Sequence, residues 1–112
     1  VYWVLCPESN RFISRTEPAV ETLRSAGVKI AIGTDSLASA RHLSMVENMR
    51  LLGDIPLDEL LIWATRNGAE ALGLEASLGD IRVGTSPGIV VIEGADLQNM
   101  RVTDQTRSRR II

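Results

Sequence analysis

The stretch Val28–Ser36, VKIAIGTDS, decides how the rest of the chain is read. Val28, Ile30 and Ile32 are apolar and β-branched, and Ala31 is small. Such a run is a buried strand, of the kind found where a parallel sheet is covered on its faces. It stops at Gly33-Thr34 and delivers a carboxylate, Asp35, to the rim of the sheet. A charge in that position is a helix cap, a turn residue or a catalytic group.

Working upstream, VYWVL at residues 1–5 reads as a second short buried strand. CPESNRFIS at 6–14 is punctuated by Pro, Ser and Asn and reads as a loop. Thr16 is a plausible N-cap, with Pro18 in the first turn of a helix. Ala19, Val20, Leu23 and Ala26 recur at spacings of three and four and give that helix one apolar face, ended by Gly27. Strand, loop, helix, strand is a βαβ unit with a parallel sheet, so the fold class is α/β. A chain that opens on Val1 inside a strand is expected to be a piece of a longer protein.

Working downstream, a helix is expected through Leu43–Leu52, stopped by Gly53. Another starts at Pro56 and breaks into two around Arg66-Asn67-Gly68. Leu57, Leu60, Leu61, Trp63 and Ala64 form its apolar stripe, with Trp63 in the core. From Gly79 the composition changes to Gly-punctuated apolar runs, and GDIRVGTSPGIVVIEG, RVTD and RRII read as short strands. The organisation expected is an α/β part over residues 1–76 and a β part over 77–112.

The bulk numbers exclude several classes. The 112 residues are 45% hydrophobic, enough for a small core, and 12 basic residues stand against 14 acidic for a net charge of −2. That balance points to neither nucleic acid nor an anionic membrane. RSRR at 107–110 reads as the solvated side of a terminal strand. No apolar run approaches the ~20 residues of a membrane span. Cys6 is the single cysteine, which rules out an internal disulfide framework and a multi-cysteine zinc site and suits a cytoplasmic location.

If the two strands are parallel, the loops after both open on one face, where α/β sheets carry their sites. Asp35 would then supply a carboxylate to a metal or to proton transfer, and Ser9, Asn10 and Ser36 would offer neutral hydrogen bonds to a substrate. Each of these residues is equally at home in a turn or a cap. Glu8 reads as a solvated loop acid, Cys6 as a small buried residue and His42, the one histidine, as a surface residue at a helix start.

Taken in order, CPESNRFI, AGVKIAIGTDSLAS, ENMRLL and ATRNGAEALGL…LGDIRVGTSPGIVVIEG resemble the C-terminal part of the amidohydrolase superfamily, in its cytosine/guanine deaminase and chlorohydrolase-like branch. The resemblance spans nearly the whole chain. It implies a (β/α)8 TIM-type barrel, with residues 1–5 and 28–32 as the last two strands, followed by part of a small β-sandwich. It implies hydrolysis of a C–N bond of a small molecule by water activated on a divalent metal, zinc first, with iron or manganese as alternatives. Asp35 would be both a metal ligand and the group that moves the proton; the other ligands would lie upstream, so the isolated chain would be inactive. Gly33 and Thr34 would be small to leave room for metal and water. Leu5 stands where many relatives have His, and Ala40-Arg41 where they often have Asn, which loosens any inference to a nucleobase substrate. The competing expectation is a non-catalytic relative that keeps the fold as a binding or scaffold module. A homo-oligomer is expected from the open strand edges.

Overall fold

A computed structural model describes all residues, 1–112. The chain folds as β1 (Tyr2–Leu5), α1 (Pro7–Ser14), α2 (Val20–Ser25), β2 (Lys29–Ile32), α3 (Met45–Leu51), α4 (Leu57–Ala64), α5 (Arg66–Ala71), β3 (Val90–Glu93) and β4 (Arg107–Arg110). The expected parallel pair is present. β1 and β2 run in register from Tyr2↔Lys29 to Leu5↔Ile32, with α1 and α2 in the crossover.

β2 is the spine of the core. Ile30, Ala31 and Ile32 are buried, and α3, α4 and α5 pack against the strand. Leu5, Val20, Met49, Leu52, Ile55, Leu60 and Trp63 complete the cluster, so Trp63 is a core residue as its place in the apolar stripe indicates. Asn67 Nδ2 donates to the Ile30 carbonyl at 2.6 Å, which fastens α5 to the backbone of β2. Gly27 and Gly53 follow the ends of α2 and α3 with φ of 66° and 86°, the left-handed geometry that stops a helix cheaply only at glycine.

Four readings need correction. Residues 7–14 are a helix: Pro7 opens α1 at its first turn, where a missing N–H costs nothing, and Cys6 stands at the cap. Thr16 caps nothing; α2 starts at Val20 with Ala19 before it and no side-chain cap. Within this chain β1 is buried only at Leu5, while Trp3 and Val4 are exposed. The break between α4 and α5 falls at Thr65, whose φ and ψ of −125° and −81° leave the helical region, and Arg66-Asn67-Gly68 are the first turn of α5.

In the last third, β3 and β4 pair antiparallel from Val90↔Arg110 to Glu93↔Arg107, and the ladder continues where Ile111 N–H donates to Ile89 O at 2.8 Å. RSRR is thus a strand with an exposed face, as its composition suggests. Ile81–Val83 is not a strand, and RVTD contributes one bridge, Arg101 to Asp96, before turning. This segment is tied to the helices by Leu57 N–H to Met100 O at 2.8 Å and by Arg50, which donates to Thr103 O at 3.1 Å and Thr106 O at 2.8 Å. No helix is long and apolar enough to cross a membrane.

Leu60 is fully buried at the centre of the cluster, whereas Leu72 is 74% exposed. Leu60→Ala is expected to lower stability by about 2–5 kcal/mol, and Leu72→Ala by no more than about 0.5 kcal/mol. Urea unfolding of both variants checks this; equal midpoints would contradict the placement of the core.

Candidate functional site

The carboxyl ends of β1 and β2 open on the same side, as parallel strands must. After β1 the chain turns at Cys6 into α1, which puts Ser9 in the first turn, buried at 4% exposure. After β2, Gly33 N–H continues the ladder to Leu5 O at 2.9 Å, and the chain then leaves the sheet. Asp35 adopts φ 59°, a left-handed conformation that Asp tolerates better than most residues. A tight turn follows, in which Ser36 O accepts from the N–H groups of Ser39 and Ala40 at 3.0 and 2.9 Å.

Both loops meet at the Asp35 carboxylate. Ser9 Oγ donates to Asp35 Oδ2 at 2.7 Å, and Ser39 Oγ donates to the same oxygen at 2.9 Å. Asp35 is otherwise exposed. The Ser9 hydroxyl first, then that of Ser39, then the Ser36 N–H hold its pKa below the ordinary 3.8, outweighing its partial desolvation. Asp35 is therefore an ionised, oriented carboxylate at neutral pH. Its charge in turn helps to keep Cys6 a thiol. Burial is the larger cause of the raised Cys6 pKa and Asp35 the second, so a nucleophilic thiolate is disfavoured there.

The other sequence candidates fall differently. Ser36 Oγ accepts from Ala38 N–H at 3.3 Å, so this side chain braces its own turn. Asn10 is half-buried on α1, and its side chain makes no hydrogen bond within the chain. Glu8 is not a solvated acid: it is half-buried, its Oε1 accepts from Arg41 N–H at 2.8 Å, and its Oε2 is buried without a partner. His42 is exposed, as expected of a surface residue. Gly33 is small for a packing reason. A Cβ there would lie 3.1 Å from Cys6 Sγ and 3.2 Å from Val4 Cγ1 on the adjacent strand.

Two residues escaped the sequence reading. Ser39 lies four residues after Asp35 in DSLAS, and only the turn between them brings it round to the carboxylate. Asn48 is fully buried on α3; its Oδ1 accepts from Glu8 N–H at 3.1 Å and its Nδ2 donates to Ser44 O at 3.0 Å. A polar residue between Val46 and Met49 on the apolar face of a helix was the available signal.

As a metal ligand, Asp35 has suitable chemistry, a hard ionised oxygen donor at the rim of the sheet. It would act as one ligand of several, because no three His, Cys, Asp or Glu side chains of this chain come together in a way that could hold an ion.

The geometry at Asp35 predicts a sign for acid stability. A carboxylate with a depressed folded pKa contributes stability that is present above its unfolded pKa and is lost as pH falls through the folded value. Stability of the wild type is therefore expected to fall more steeply below the ordinary 3.8 than that of Asp35→Asn. Denaturant unfolding across the acid range tests it, and parallel curves for the two proteins would refute it.

The profile of the amidohydrolase family matches residues 1–112. The chain is 35% identical over 99 residues to a 5-methylthioadenosine/S-adenosylhomocysteine deaminase of Moorella thermoacetica, covering 79% of this chain and 23% of the relative. It is 41% identical over 87 residues to an imidazolonepropionase of Rhizorhabdus wittichii, covering 73% of this chain and 22% of that protein. Among solved structures, a zinc-bound adenosine deaminase from Xanthomonas campestris superposes with a TM-score of 0.72 at 32% identity, over 83% of this chain and 24% of the other. An aminofutalosine deaminase of Helicobacter pylori in complex with methylthio-coformycin superposes at 0.65 with 31% identity, over 78% and 22%. The chain thus spans less than a quarter of the length of the curated relatives named here. The match runs from β1 to β4 and takes in both loops that meet at Asp35: the chain belongs to the amidohydrolase family.

Proposed function

We propose that this chain is the C-terminal segment of a metal-dependent amidohydrolase that cleaves a C–N bond of a small molecule, in the manner of a deaminase. The observation that carries the reading is the Asp35 carboxylate, ionised and held at the end of β2 by two hydroxyls. The zinc in the Xanthomonas campestris deaminase supports a divalent cation, zinc first, with Asp35 as one ligand and the rest supplied from upstream of Val1. The family likeness supports a (β/α)8 barrel in which β1 and β2 are the last two strands, within residues 1–76, and a β-sandwich to which residues 77–112 contribute.

In this reading the cation, when bound, would supply Lewis acidity and lower the pKa of water to about 7. Asp35 accepts the proton that the attacking water loses and returns a proton to the departing nitrogen. The water oxygen bonds to the substrate carbon, the C–N bond breaks, and ammonia or an amine leaves. A carboxylate can make both transfers, accepting a proton and giving it up again. Cys6, kept as a thiol, stays out of the chemistry.

The test is ammonia release by the full-length parent from a panel of aminated heterocycles. Asp35→Asn is expected to lower kcat by about 10²–10⁴-fold, while the 112-residue chain alone, with zinc added, is expected to give no turnover. A parent that keeps wild-type kcat with Asn at position 35, or an isolated chain that turns over, contradicts the proposal.

A further inference from the structure

The geometry points to Ser9 and Ser39 as positioning residues that together aim the Asp35 carboxylate, rather than as groups that bind substrate. This inference rests on the functional reading of Asp35. Three observations lead to it. Both serines are buried, at 4% and 6% exposure, while the carboxylate they hold is exposed, so the hydroxyls sit behind the reacting group and not in front of it. Both donate to one oxygen, Oδ2, at 2.7 and 2.9 Å, and neither donates to Oδ1. They also come from different segments: Ser9 from the first turn of α1, 26 residues away in sequence, and Ser39 from the turn that follows Asp35 itself.

Two donors on one oxygen from two directions fix the rotation of a carboxylate about its Cβ–Cγ bond. Oδ2 is occupied by protein hydrogen bonds, which leaves Oδ1 as the oxygen for water or substrate. One hydroxyl alone would define a distance but not a plane. The Ser39 hydroxyl is itself steered, since its Oγ also lies 3.3 Å from Ser36 O at the start of the turn. Ser36 acts through its backbone and not its side chain, with its N–H toward the Asp35 carboxylate and its carbonyl on the Ser39 hydroxyl. Buried behind the carboxylate, neither serine is placed to meet a substrate that approaches from solvent. The effect of losing either belongs in kcat, because a misaimed carboxylate slows the proton transfer without weakening substrate binding.

The experiment uses the full-length parent, with Ser9→Ala, Ser39→Ala, the double variant and Ser39→Thr, which keeps the hydroxyl. Each alanine variant is expected to lower kcat about tenfold or more, with KM within about twofold and the melting temperature preserved, and Ser39→Thr to stay near the wild type. Crystal structures of the double variant should show the Asp35 carboxylate rotated out of its present plane. The inference is overturned if the alanine variants keep wild-type kcat, if KM takes the loss, or if the carboxylate keeps its orientation without both hydroxyls. A fall in kcat that tracks a fall in melting temperature, with no rescue by Thr, overturns it in favour of a structural role. Failure of the functional reading itself would show separately, as wild-type kcat in Asp35→Asn alone.

Discussion

Parallel pairing of Tyr2–Leu5 with Lys29–Ile32 is the constraint on which the site depends. Parallel strands need a crossover, and here α1 and α2 supply it. The pairing brings Cys6–Asn10 and Gly33–Ser36 to the same end of the sheet. The Ser9–Asp35 bond cannot do this alone. Closing a flexible loop of the 26 residues that separate the two costs on the order of 3 kcal/mol plus a constant. The ladder and the burial of β2 bring the loops together, and the serine bonds then set an angle.

The two ends of this short sheet have different work. At the amino end of the strands, Tyr2 OH donates to Glu70 at 2.6 Å, and Lys29 Nζ reaches the same carboxylate at 2.8 Å and lies over the Tyr2 ring. That cluster joins β1, β2 and α5, and every polar group in it has its partner inside the chain. Exposed ion pairs of this kind are screened by solvent and add little to stability, so its role is to hold α5 in place. At the carboxyl end the charge is handled differently. Asp35 meets neutral hydroxyls instead of a cation, which keeps it ionised without neutralising it. A carboxylate left unneutralised is available to something outside the chain.

Much of this was legible in the residues. The β-branched run before Gly33 reads directly as β2, the pair of glycines after α2 and α3 as helix ends, and the stripe around Trp63 as core, because each rests on local periodicity or on a backbone geometry that one residue type supplies. What failed was non-local. CPESNRFIS has the composition of a loop, yet α1 forms because Pro7 relieves one unsatisfied N–H and Asn48, 40 residues on, accepts the Glu8 N–H. VYWVL has the composition of a buried strand, yet burial depends on what covers Trp3 and Val4, and nothing in five residues specifies a cover. Ser9 was singled out without its bond to Asp35, and Ser39 was passed over, for the same reason. A hydroxyl is small and turn-compatible everywhere, and only the fold shows which acceptor it meets.

α3 shows how the remaining parts are coupled. Three successive residues of this helix face three different neighbours. Asn48 takes the Glu8 N–H and so anchors the start of α1, the turn that carries Ser9. Met49 enters the core beside β2. Arg50 donates to the carbonyls of Thr103 and Thr106 and so holds the segment that leads into β4. An apolar side chain at 48 would fill the same space but leave the Glu8 N–H without its partner, while the Ser44 carbonyl would keep only the Asn48 N–H. A buried group left unsatisfied costs about 1–3 kcal/mol. The buried amide therefore serves to place α1 rather than to fill the core. The orientation of Asp35 depends, two contacts away, on a residue that touches neither the carboxylate nor the strands.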